Sequence, residues 1–412
     1  ASKERDFRIL VDVSGSMKQS DPNKMRRPAV DLLIRLAPEK SLMGIWTFGE
    51  HVDMLVPHRS VSKKWREFSS TQVDQINSSA MRTNIGLALD MVMAEGNVST
   101  HAGGHDDKKT ILLLTDGVVD ISPDKSINDN ERSRILEQLL PELHQSEFTV
   151  HTIALSANAD QTLLKQLSLA TDGVFAIAES ADQLTSVFLS VFDLSFPVNR
   201  IPIDNQNFLI DSGVDEFTLL IMGGDHASLQ LKNPLGVSIK ASNELSNLSW
   251  FSSSDYNLIT ISQPETGRWF IDKGLTQQAR VSIVSDVSLR LSDIANNIYP
   301  RSSMIIDAVL TESGHPIDEK NLIELIALDY RLRAPNGDVF EGKFSLLDQS
   351  KAHYQAFFDD LSQRGGYQLT VTARTDTFQR QQIKSFIVHD SFSADLSVDN
   401  KTQTASLAIQ IM

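Results

Sequence analysis

The chain has 412 residues, 41% of them hydrophobic and 22% charged, with a formal net charge of −15 and an isoelectric point near 5.1. That length accommodates two to four domains. No apolar run approaches the roughly 18 to 20 residues of a membrane helix, and the acidic balance excludes nucleic acid and anionic membrane surfaces while favouring a divalent cation or a basic partner. With no cysteine, thiol catalysis, zinc–thiolate sites and disulfides are all excluded.

In chain order, "FRILVDV" (7–13), "SLMGIWTF" (41–48), "KTILLLTD" (109–116), "FTVHTIAL" (148–155) and "GVFAIA" (173–178) are near-continuous apolar runs. Strands buried on both faces of a parallel sheet have that character. "HVDMLV" (51–56) alternates and predicts an edge strand. Between these runs, residues 24–37, 84–95, 131–145, 160–171 and 181–195 carry apolar side chains three and four apart, the helical period. Strands alternating with helices predict a doubly wound α/β sheet over 1–195.

After residue 195 the helical period fades. Segments such as 215–223, 227–236, 257–274 and 279–293 alternate in period two between Pro, Gly and Asn turns. A second set runs from 303 to 390, including "PNGD" (335–338), a strong hairpin turn. Two all-β sandwiches are expected, at 196–293 and 294–390, with 391–412 as a terminal strand or tail. The aromatics of "GRWF" (267–270) and "GGYQLTV" (365–371) read as core packing.

Asp12, Ser14 and Ser16 follow the first apolar run, so they stand at the carboxyl end of a parallel strand, where open α/β sheets bind ligands. Thr83 precedes a helix and Asp116 closes the "ILLLTD" strand, so five oxygen donors from three loops are expected to converge. An all-oxygen set suits a hard cation, Mg²⁺ first, with Mn²⁺ or Ca²⁺ also compatible. The competing reading of Asp and Ser after a strand is an N-cap and turn.

The pattern Asp12-Val13-Ser14-Gly15-Ser16, with Thr83 and Asp116 in register, resembles the von Willebrand factor type A (VWA) family and its metal-ion-dependent adhesion site. The resemblance implies that Ser14, Ser16 and Thr83 reach the ion largely directly and that Asp12 and Asp116 act directly or through water. It further implies that a partner's Asp or Glu carboxylate completes the coordination, and that ligand binding is coupled to the last helix, 181–195. The later block "AVLTESGHPI…LRAPNGDVFEG…GGYQLTVTA" more loosely resembles the immunoglobulin-like modules of bacterial surface proteins and calcium-activated chloride channel regulators. The expectation is a bacterial exported protein, periplasmic or extracellular, anchored to the membrane through other segments. Ala1 in place of Met fits removal of a preceding segment.

Enzyme readings fare less well. A haloacid dehalogenase-type phosphatase needs a second Asp where Ser14 stands, and a serine hydrolase needs the Gly-x-Ser-x-Gly elbow that "DVSGSM" lacks. His101, His105, Asp106 and Asp107 could form a second metal cluster, although a solvated loop is the plainer reading. Asp120, Asp124, Asp129 and Glu131 do not fall in EF-hand register and are expected to border the metal face. The protein is therefore read as a non-enzymatic recognition module. A scaffold in which metal only rigidifies the loops is the alternative, and a metal-assisted hydrolase a more distant one.

Overall fold

The computed structural model describes residues 5–95, 108–223, 228–273, 279–300, 302–348, 351–359, 361–389, 392–399 and 404–411. The chain divides into two compact units, Ala1–Phe196 and Pro197–Met412.

The first unit runs β1 (Arg5–Asp12), α1 (Met17–Ser20), α2 (Arg26–Leu36), β2 (Leu42–Phe48), β3 (Val52–Ser60), α3 (Lys63–Gln72) and α4 (Ile85–Ala94). It continues through β4 (Lys108–Thr115), α5 (Lys125–Arg134), a π-helical turn at Ile135–Leu139, α6 (Leu140–Gln145), β5 (Phe148–Ala154), α7 (Gln161–Ala170), β6 (Phe175–Ile177) and α8 (Ala181–Ser195). The sheet order is β3-β2-β1-β4-β5-β6. All neighbours pair in parallel except β2 and β3, so the alternating 51–56 segment is the edge strand expected of it, and it runs antiparallel to β2. Connections leave β1 to both sides, which makes its carboxyl end the switch point of the sheet.

Continuous apolar runs are explained by burial on two sides. Phe7, Ile9 and Val11 of β1 face a core shared with α2 and α8, while Leu10 faces one shared with α4 and α7. Arg8 breaks the run yet is buried, because Asp6 accepts from its Nε and Nη2 at 3.0 and 2.6 Å and its Nη1 donates to the Val92 carbonyl. His58 adds a 2.8 Å contact to Asp6.

Two helical features depart from the sequence pattern. The α3 segment "KKWREFSSTQ" buries only Trp65 and Ser69, too few to show an apolar stripe, and its start is set by the Ser62 side chain accepting from Trp65 N at 3.2 Å. The helix expected at 131–145 begins at Lys125 and widens into a π turn before Pro141. Proline lacks an N–H and crowds the carbonyl of the preceding turn, and a wider turn accommodates both.

In the second unit, Ile201 to Ile283 supply one apolar core and Leu289 to Val388 another. Strands from both segments enter one ten-stranded sheet, joined at Gln381 and Arg200. Trp269 is fully buried, with Phe217 edge-on at 5.1 Å, and Tyr367 stacks on Phe386 at 5.3 Å, so both aromatic motifs pack cores. The "PNGD" hairpin joins Ala327–Arg333 to Val339–Lys343, with Gly337 at φ 90. Lys320–Leu325 is a short helix, although its residues 322–325 open a run read from the sequence as strand. Phe392–Asp399 and Thr404–Ile411 pair antiparallel with each other. Among the described residues no helix is long and apolar enough to cross a membrane.

Candidate metal site

The site grows from the end of β1. Ser14 N donates to Asp12 Oδ1 at 2.7 Å, folding the chain back over the strand end. The other carboxylate oxygen of Asp12 accepts from Thr115 Oγ1 at 2.5 Å, which ties β1 to β4. The turn then enters α1, with Met17 N donating to the Ser14 carbonyl at 3.2 Å.

Ser16 Oγ lies 3.0 Å from Ser14 Oγ and donates to Asp116 Oδ1 at 2.8 Å. Ser20 Oγ donates to Asp116 Oδ2, and Ser156 Oγ holds the Asp116 carbonyl at 3.1 Å. Thr83 arrives on a third loop, its backbone paired with Asp120 through N–H to carbonyl contacts of 2.8 and 3.0 Å. A Cβ on Gly117 would stand 3.3 Å from the Thr83 hydroxyl oxygen, so the absence of a side chain next to Asp116 lets the two loops close together. Among the described residues no hydrogen bond joins that hydroxyl to the Ser16–Asp116 network.

Asp12, Ser14, Thr83 and Asp116 are buried and Ser16 is exposed, so the cluster opens to solvent at one point. Burial raises the Asp12 carboxyl to about 6 against the hydrogen bonds from Thr115 and Ser14, and the charge of Asp116 adds to the rise. The group is therefore short of positive charge.

The donor set fits a small hard cation. Oxygens bound to Mg²⁺ at about 2.1 Å and right angles lie about 3.0 Å apart, and the Ser14–Ser16 and Ser16–Asp116 spacings are 3.0 and 2.8 Å. Two carboxylates and three hydroxyls would supply the protein ligands. Consistent with so hydroxyl-rich a set, no group of three or more His, Cys, Asp or Glu among the described residues is placed to hold a metal.

The family model of the von Willebrand factor type A domain matches residues 6–189, and that of the hemicentin galactose-binding domain-like segment matches 195–288. The first unit is a VWA domain. The chain as a whole is 23% identical over 410 residues to human calcium-activated chloride channel regulator 4, covering 89% of this chain and 40% of that protein. It is 21% identical over 195 residues to a VWA domain-containing protein of Dictyostelium discoideum, covering 47% of this chain and 19% of that one. The chain thus spans less than half the length of either relative. Proximal thread matrix protein 1 of the mussel byssus, solved with a zinc-occupied adhesion-site motif, is 20% identical with a TM-score of 0.37, covering 49% of this chain and 50% of that one.

Within the VWA domain three of the four acidic candidates that follow Asp116 have other partners. Asp120 pairs with Arg82 at 2.7 Å, Asp124 caps α5 by accepting from Ser126 N at 2.9 Å, and Glu131 pairs with Arg134 at 2.7 Å. The cluster of His101, His105, Asp106 and Asp107 lies outside the described residues. Reading the sequence missed Ser20 and Thr115. Thr115 directly precedes Asp116 and Ser20 lies one helical turn beyond Ser16, so proximity to the motif was the only available signal.

Proposed function

We propose that the VWA domain is a divalent-metal-dependent recognition module. Asp12, Ser14, Ser16, Thr83 and Asp116 hold Mg²⁺, or Mn²⁺ or Ca²⁺ in its place, and an Asp or Glu of a protein partner completes the coordination. The observation that carries this reading is the meeting of Ser14, Ser16 and Asp116 at spacings of 3.0 and 2.8 Å at the switch point of the sheet. The ion would supply a directional anchor for a carboxylate, which is how a chain of net charge −15 could hold an acidic partner. The residues themselves orient the site: Asp12 is locked by Thr115, and Asp116 is held on both oxygens by serines.

No enzymatic step is assigned to the site. The β-rich segments 196–293 and 294–390 are proposed as two sandwiches, the second immunoglobulin-like, that present the VWA domain outside the cytoplasm, in the periplasm or extracellular space and on a membrane-anchored protein. Pull-downs from a native extract with wild type, Asp116→Ala and chelator-treated protein test the reading. Partners captured by untreated wild type alone support it. Identical partners in all three overturn it in favour of a scaffold.

A further inference from the structure

Behind the loops that carry the candidate ligands lies a buried ion pair that supplies no ligand itself. Arg26, the first residue of α2, is fully buried, and its Nε donates to Asp21 Oδ2 at 2.6 Å. Its Nη1 donates to the backbone carbonyl of Asp12, at the point where β1 ends. Its Nη2 donates to Ser78 Oγ at 2.8 Å and to the Asn77 carbonyl at 3.4 Å. Asp21 is likewise buried and satisfied, accepting from Met25 N at 2.5 Å and Arg26 N at 3.3 Å. Next along α2, Arg27 Nε donates to the Ile76 carbonyl at 2.8 Å.

We propose that Arg26 is a positioning residue for the metal site, holding the loop that carries Thr83 in register with the loop that carries Asp12, Ser14 and Ser16. This rests on the metal-recognition reading above. Only a planar fork with several fixed donors reaches Asp12, Asp21 and Ser78 at once, because the three acceptors lie on separate segments. The Ser78 loop continues into Ala80, whose N–H donates to the Val13 carbonyl at 3.0 Å, and then into Thr83. Arg26 therefore anchors the start of the stretch that runs from Ser78 to Thr83. Pairing with Asp21 leaves the brace without net charge, so it does not repel a cation bound in front of it.

The test uses Arg26→Lys, which keeps the charge and loses the fork, and Ser78→Ala, which removes one partly exposed contact and leaves the ion pair intact. Two quantities are read: amide hydrogen exchange at Ala80 and Thr83 in metal-free protein, and the Kd for Mg²⁺ or Mn²⁺ alone by calorimetry. Both variants are expected to exchange faster at those two amides than wild type while β4 stays protected. Arg26→Lys is expected to raise the metal Kd by about 10 to 100-fold, as loss of a supporting residue commonly does. Wild-type exchange at Ala80 and Thr83 in both variants overturns the inference whether or not metal binds. Faster exchange with an unchanged metal Kd also overturns it, by showing a purely structural brace. Wild-type protein that binds neither ion overturns the metal reading itself.

Discussion

Ser16 and Asp116 stand 100 positions apart in the chain, yet the Ser16 hydroxyl donates to Asp116 Oδ1 at 2.8 Å. One comes from the turn after β1 and the other from the end of β4, and they meet because β1 and β4 are adjacent parallel strands in register, Val11 opposite Leu114. A hydroxyl-to-carboxylate contact of this kind is where a cation would be shared.

Metal dependence is the first expectation from that contact. At about 100 times its Kd, Mg²⁺ is expected to add roughly 2.7 kcal/mol to the stability of the VWA domain. Asp116→Asn retains an acceptor for Ser16 and loses one charge. It should therefore unfold near the wild-type temperature without metal and show no metal-induced rise. Differential scanning calorimetry with and without Mg²⁺ measures both, and a full rise in the variant would exclude Asp116 as a ligand.

Gly49 sets the height of the Thr83 loop. A Cβ there would stand 2.2 Å from Ala80 Cβ and 3.4 Å from the Arg82 carbonyl, and the Gly49 carbonyl accepts from Asn84 N at 2.9 Å. Gly49→Ala is expected to cost about 1–3 kcal/mol and to weaken metal binding by pushing residues 80–83 outward. Gly15→Ala is the control, since its nearest contact is an ordinary 3.4 Å. Urea denaturation and a Mg²⁺ titration of each variant give the comparison, and equal behaviour would refute the packing argument.

His151 makes the VWA domain sensitive to acid. It is buried in β5, where its Nδ1 accepts from Val174 N at 3.0 Å, and burial lowers its pKa from 6.5 to about 4. Between those values the unfolded chain binds a proton that the folded one refuses, so stability falls as pH drops below 6.5 and levels off near 4. The full loss is about 3 kcal/mol. Asp12, raised to about 6 by burial, works in the opposite direction over an overlapping range in metal-free protein. His151→Asn retains an acceptor for Val174 and should flatten only the histidine contribution. The difference between its stability–pH curve and that of wild type, measured by urea unfolding at several pH values, isolates that contribution.

In the second unit, Arg380 has every donor engaged. It meets Asp211 through two contacts of 2.6 and 3.0 Å, Ser285 Oγ at 2.7 Å, the Val287 carbonyl at 2.8 Å and the Gln379 carbonyl at 2.9 Å. Arg380→Met leaves Asp211, whose side chain is 11% exposed, without its cation and is expected to cost about 3 kcal/mol. The double variant Asp211→Leu/Arg380→Met should recover much of that loss. Amide hydrogen exchange of Gly365–Arg374 and Gln379–Val388 in increasing denaturant reports on this unit alone.

The sequence by itself determined the layer order of the VWA domain, because strands buried on both faces must be apolar throughout and helices packed on one side must be striped. It also placed four of the five candidate ligands just past strand ends, where the apolar runs stop, and Thr83 just before a helix. It did not reveal α3, whose buried face is only Trp65 and Ser69, nor the π turn that Pro141 forces. Arg26, Ser20 and Thr115 were equally silent. Their roles depend on which distant oxygen each donor reaches, and only the pairing of β1 with β4 and the docking of the 76–83 loop against α2 bring those oxygens within range.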